Sequence, residues 1–121
     1  MTRRSRIERA EEREGRADVI RAARRDGNER RERNALVHML TGEMRLDLSP
    51  HGMGRRGAGV AGNGSAYCWV STLHRLERKR QVERLKGGRF VLTENGRERA
   101  EWVAAARQLF ADIEARKRAA P

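Results

Sequence analysis

Residues 66–93 carry seven basic groups against two acidic ones, which is five of the chain's eleven net positive charges. Among them stand Tyr67, Ser71, Thr72, Arg75, Arg78, Lys79, Lys86 and Arg89. Cations of this kind neutralise phosphates, while hydroxyls and guanidinium groups hydrogen-bond base edges, so the chemistry on offer is recognition of a polyanion. Other chemistry is poorly represented. His38, His51 and His74 are scattered, and His38 adjoins an apolar helix face, as a packed histidine does. Cys68 and His74 lie six residues apart on different faces and make no metal pair. No Cys-x-x-Cys, paired-carboxylate or nucleophile motif occurs, so the expectation is no enzyme, no metal and no cofactor. Cys68 itself is a candidate redox sensor, because neighbouring cations lower a thiol pKa.

Positioning these groups requires a helix, a hairpin and a second helix start. At about 100° per residue, Ala66, Trp69, Val70, Leu73 and Leu76 share one face of a helix over 66–80. Cys68, Ser71, Arg75 and Arg78 fall on the opposite face, flanked by Tyr67, Thr72, His74 and Lys79. Gly87-Gly88 separates Val82–Lys86 from Arg89–Leu92, the pattern of a two-residue hairpin turn. Thr93 is placed to N-cap the second helix.

These pieces resemble the winged helix-turn-helix regulators, especially the MarR-like and PadR-like groups. The resemblance rests on Leu76-Glu77-Arg78, Val82-Glu83-Arg84, Gly87-Gly88 and Leu92-Thr93-Glu94-Asn95-Gly96. It is close over about a third of the chain and loose over about two thirds. It departs at Arg80-Gln81, where the family usually has Gly-Leu. The resemblance implies a mainly α fold with a small β-hairpin, a winged helix-turn-helix with long N- and C-terminal helices. Its parts would be a charged helical extension over 1–28, a winged domain over 29–93 and a C-terminal helix over 94–121. It further implies sequence-specific binding of double-stranded DNA, as in a bacterial or phage transcriptional regulator. By resemblance and by helical face, Ser71, Thr72 and Arg75 are the base-reading candidates. Tyr67, Arg78 and Lys79 are assigned to the DNA backbone, and Lys86 and Arg89 flank the wing tip.

The remaining chain is read around that unit. Ser5 and Glu8 form a capping box for a helix from about Arg6 to Arg25, with a stop expected at Asp26-Gly27-Asn28. Glu29–Thr41 is a second helix, with Ala35, Leu36, Met39 and Leu40 inward. Met44, Leu46 and Leu48 alternate with polar residues, as in a short strand that pairs with the wing. Ser49-Pro50 signals a helix start, but six glycines crowd residues 51–64. That predicts a short or irregular second helix and a loose loop, from which Arg55 and Arg56 reach the DNA backbone. No Gly-Lys-Ser/Thr follows, which disfavours a nucleotide loop. From Thr93 one helix is expected to about Arg118, where Val103, Ala106, Phe110 and Ile113 share a face with Leu109 beside it and Trp102 near its edge. An apolar stripe outreaching a small core predicts a homodimer through this helix.

Composition sets the outer bounds. With 37% charged and 4% aromatic residues, 121 residues make one small domain. One cysteine allows no internal disulfide, no apolar run approaches the ~20 residues of a membrane span, and no secretory segment opens the chain. A cytoplasmic protein without a membrane partner is the expectation. Two alternative functions fit the same features. One is a protein-interaction module docking on a polymerase or replication complex; the other is an RNA-binding accessory protein.

Overall fold

Period-two burial governs the middle of the chain. In Asn63–Trp69, Ala66 and Cys68 are buried while Ser65, Tyr67 and Trp69 are exposed, as in a strand with one covered face. The structure, a computed structural model, describes residues 5–120. The first four residues of the expected 1–28 extension and Pro121 of the 94–121 segment lie outside the described residues.

The elements run α1 (Arg6–His38), β1 (Met44–Arg45), β2 (Gly57–Val60), β3 (Asn63–Trp69), α2 (Val70–Arg78), β4 (Val82–Leu85), β5 (Arg89–Leu92) and α3 (Glu94–Ala119). Short 3₁₀ turns cover Leu46–Leu48 and Gly54–Arg56. The protein is thus mainly helical, with one antiparallel sheet in the order β3-β2-β1-β5-β4. None of the helices described is long and apolar enough to cross a membrane.

The capping box forms as expected: the Glu8 N–H donates to Ser5 Oγ at 3.1 Å, and the Ser5 N–H donates to the Glu8 carboxylate at 3.3 Å. The expected stop at Asp26-Gly27-Asn28 does not occur, and α1 continues to His38. Glycine costs a helix only about 1 kcal/mol relative to alanine, and the flanks are rich in Arg, Glu and Ala with no proline. Two compact units divide at Arg30/Arg31. In the first, the helix is solvated, with Asp18 and Arg21 paired and Ile7, Val19 and Ile20 exposed.

The second unit holds the core. Ala35, Leu36 and Met39 of α1 meet Met44, Leu73, Leu76, Val82, Phe90 and Ala100, and Ala58, Ala66 and Cys68 extend the cluster under β2 and β3. β1 pairs with β5 (Met44↔Phe90, Arg45↔Arg89), so the expected strand beside the wing exists, but only two residues of it. Leu46 and Leu48 leave the alternation and are exposed.

The largest departure lies in residues 51–64. A 3₁₀ turn and the β2–β3 hairpin replace the irregular second helix and loose loop, so no α-helix stands between β1 and α2. Glycine is needed there for close approach. A Cβ on Gly59 would lie 2.2 Å from the Leu48 carbonyl oxygen, and one on Gly57 would lie 2.6 Å from Ser49 Oγ. Segment 48–53 therefore lies directly over the strand.

Candidate nucleic-acid interface

Helix α2 begins at Val70, four residues later than expected, because Ala66–Trp69 belong to β3. Trp69 takes the N-cap position in an extended conformation without a capping side-chain hydrogen bond. The shift turns the helix wheel's first turn into strand alternation. Cys68 therefore moves from the expected outward face into the core. Burial pushes its thiol pKa up to about 12, opposite to the lowering that a redox sensor requires.

Leu73 and Leu76 are fully buried and fasten α2 to the sheet. Of the three base-reading candidates, only Ser71 is exposed. Thr72 is 0% exposed, and its hydroxyl accepts a hydrogen bond from Arg75 Nη2 at 3.1 Å. It cannot reach a base edge. Arg75 is half-buried, and its Nε is enclosed without an acceptor among the described residues. Its guanidinium serves the helix's own packing as well as its outer face.

The backbone candidates also divide. Arg78 is exposed and carries no ion pair among the described residues. Lys79 Nζ lies 2.9 Å from Glu32 Oε1, whose side chain is buried, an ion pair rather than an aligned hydrogen bond. Tyr67 is exposed, but on β3 rather than on the helix. Lys86 sits exposed in the turn between β4 and β5, and Arg89 is tied to Glu43 by three contacts of 2.8–3.0 Å. Hydrogen bonding by that guanidinium, the largest influence on it, holds the Glu43 carboxyl below the usual range.

The hairpin pairs Leu85 with Arg89, so its connection is three residues, Lys86–Gly88, rather than two. Gly87 and Gly88 have φ of 79° and 70°, which a side chain would strain. Arg84 is held by Glu77 at 3.1 Å, with its guanidinium 5.4 Å from the Phe90 ring centre. Ion pairing thus removes Lys79, Arg84 and Arg89 from the free charge of this region. Within residues 66–93, the cations left exposed and without an ion pair among the described residues are Arg78, Arg80 and Lys86.

The join between helix and hairpin is tightly built. Gln81 N–H donates to the Leu76 carbonyl at 2.9 Å and Arg80 N–H to the Glu77 carbonyl at 3.0 Å, a Schellman closure with Arg80 at φ 60°. Thr93 Oγ1 donates to the Arg80 carbonyl at 2.7 Å and accepts from the Gly96 N–H at 3.0 Å, so one hydroxyl locks the end of α2 to the start of α3.

Helical-wheel reasoning missed Arg80, and it missed the exposed row Ser65, Tyr67 and Trp69. The signal for that row was present as strict alternation with Ala66 and Cys68. On α1, burial and then the charge of Arg107 lower the His38 pKa, which keeps the imidazole neutral at neutral pH. No protein-family model, curated protein or solved structure matches the chain.

Proposed function

We propose that the protein binds double-stranded DNA with the outer face of α2 and the β4–β5 turn, in the manner of a winged helix-turn-helix regulator of bacterial or phage type. The observation that carries this reading is the continuous order of α2, Schellman closure and glycine-tipped hairpin, with unpaired cations at Arg78, Arg80 and Lys86. A helix presented by its buried Leu73 and Leu76 leaves Ser71 and Arg78 outward for groove and phosphate contacts. The helix that would precede α2 in a helix-turn-helix is absent, so the support comes from the helix-and-wing half alone.

Dimerisation through α3 belongs to the same proposal. Its buried residues are Gly96, Ala100 and Val103, whereas Trp102, Leu109, Phe110 and Ile113 are exposed. Such a stripe, uncovered in one chain, suits a second copy, and a two-fold pair suits an inverted-repeat site.

The test is a titration of labelled duplexes, including the region flanking the protein's own gene, at several salt concentrations. The expected result is preference for one duplex. Arg78→Ala and Lys86→Ala should each lower affinity and reduce the salt slope by about 1, whereas Ser71→Ala should relax the sequence preference. Equal, steeply salt-sensitive binding to every duplex would overturn the reading and favour the protein-interaction alternative; tighter binding to structured RNA would favour the RNA-binding one.

A further inference from the structure

Ser65, Tyr67 and Trp69 stand in line on the outer face of β3, an edge strand of the sheet. Tyr67 is 48% exposed and Trp69 44%, so each ring offers a free surface while the rest of it is held by the fold. Their partners across the ladder are Gly59 and Gly57, so no neighbouring side chain on β2 covers either ring. Instead the rings border a cleft of about 250 Å³, whose other walls include Asn34, His38 and Met53. The lining is mixed, with Asn34, His38 and Ser65 beside the two rings and Met53, and such a combination of aromatic faces and polar groups suits a flat heteroaromatic ring. The neutral His38 imidazole offers both a donor and an acceptor to such a ring.

Charge converges on the same place. Arg31 lines the cleft, and the exposed Arg55 and Arg56 immediately precede Gly57, the strand partner of Trp69. Spacing then discriminates between ligands. Two residues along a strand advance about 6.6 Å, roughly twice the 3.4 Å rise of stacked bases in a duplex strand. Bases lying on both rings must therefore be unstacked from each other, which a duplex does not offer and a single strand does.

We propose that the outer face of β3 binds single-stranded nucleic acid, stacking one base on Tyr67 and the next on Trp69 while Arg55 and Arg56 meet the phosphates. Tyr67, Arg55 and Arg56, expected from the sequence at a duplex backbone, are reassigned to this site. It uses none of Ser71, Arg78, Arg80 and Lys86, the residues proposed above to meet duplex DNA, so the two readings fail separately.

The experiment uses the full chain carrying Trp102→Phe, which leaves Trp69 as its one tryptophan. Emission is followed against oligothymidylate, oligouridylate, thymidine monophosphate and a duplex, and affinities for labelled oligonucleotides are taken from anisotropy. Saturable quenching by the oligonucleotides is expected, and whichever of the two binds tighter identifies the natural strand as DNA or RNA. Tyr67→Ala and, in the otherwise native chain, Trp69→Ala should each weaken oligonucleotide binding about tenfold or more. Tyr67→Phe and Trp69→Phe should retain most of it, which separates stacking from damage to the fold. The salt slope should stay unchanged in all four, because no charge is removed. Duplex affinity should move less than about twofold. Alanine variants that bind oligonucleotide like the parent, or unquenched Trp69, would overturn the proposal by leaving charge alone to hold the strand. Monophosphate binding as tight as that of the oligonucleotides would also overturn it and make a free nucleotide the occupant.

Discussion

The two hairpins of the sheet reach similar ends by different means. In β4–β5 the strands are held by side chains: Val82 and Phe90 are buried, Arg84 is clasped between Glu77 and Phe90, and Arg89 is tied to Glu43. In β2–β3 the backbone itself is much of the packing surface, with Gly57 and Gly59 under segment 48–53 and the small side chains of Ala58, Val60, Ala66 and Cys68 facing the core. The β4–β5 hairpin holds its strand arginines, Arg84 and Arg89, in ion pairs and leaves Lys86 exposed at its tip. The β2–β3 hairpin carries two half-exposed rings and follows Arg55 and Arg56, which are exposed and have no ion pair among the described residues. A hairpin built from side chains tolerates change at its tip, whereas one built from backbone contacts tolerates almost none along its length.

The sharpest way to break that contrast is the same substitution in both hairpins. Gly59→Ala drives a methyl to 2.2 Å from the Leu48 carbonyl oxygen, a contact that no rotamer relieves. The expected loss is about 3 kcal/mol in denaturant melts. Gly87→Ala meets nothing within 4 Å and suffers only its φ of 79°, so it should cost about 1–2 kcal/mol. Equal losses would mean that segment 48–53 moves aside and that the β2–β3 packing is soft.

A second contrast is in pH. The Cys68 thiol, in the core below β3, has its folded pKa raised to about 12, above that of an unfolded cysteine. Its contribution is therefore complete below the unfolded value and is lost as pH rises above it, at up to about 1.4 kcal/mol per pH unit. Melts at pH 8 and pH 10 should show a larger alkaline loss in the native chain than in Cys68→Ala, and iodoacetamide should label Cys68 only on unfolding. The Glu43–Arg89 pair on the other hairpin works in the opposite direction. The Glu43 carboxyl has a lowered folded pKa, so its contribution is present above the unfolded value and lost as pH falls. Glu43→Gln should remove part of the acid-side dependence and leave the alkaline side unchanged. Prompt alkylation of Cys68 in the folded protein would contradict its burial.

The same contrast explains what was legible in the sequence. The region from Leu73 to Ala119 could be read because local rules agree there: apolar spacing, a glycine turn and a threonine cap all indicate the same elements. α3, its cap and the hairpin are direct consequences. Residues 51–69 could not be read so, because their order depends on a distant partner. Six glycines look like a loose loop until Leu48 and Met53 are known to lie on them. Ala66, Trp69, Val70 and Leu73 satisfy a helical period, whereas Ala66 and Cys68 alternating with Ser65, Tyr67 and Trp69 satisfy a strand period, and pairing with β2 decides for the strand. For the site this misplaced Cys68 and Tyr67 by a register, and it left Thr72 on a face that Arg75 covers.

How firmly α2 is joined to its hairpin can be measured at Thr93. The hydroxyl caps α3 through the Gly96 N–H and also binds the Arg80 carbonyl, so Thr93→Ala removes two hydrogen bonds at one site. The expected cost is about 1–2 kcal/mol, the upper part of the range for a lost N-cap. Thr93→Ser should keep most of the stability. If serine fails as alanine does, the methyl group rather than the hydroxyl holds the joint.

The smallest effect has the opposite sign. Arg80 occupies the left-handed position after α2, where a side chain costs about 1–2 kcal/mol and glycine is the usual occupant. Its N–H and carbonyl are both engaged, but by backbone and hydroxyl partners that meet the main chain of any residue. Arg80→Gly should therefore raise stability by about 0.5–1 kcal/mol, the strain relieved less the added freedom of glycine in the unfolded chain. If the chain keeps arginine there for its charge, the same variant should bind duplex DNA more weakly, with a salt slope lower by about 1. A gain in stability with unchanged DNA affinity would remove Arg80 from the interface and leave Arg78 and Lys86 as its unpaired cations. A loss of stability would mean that the guanidinium, not the backbone closure, holds the end of α2.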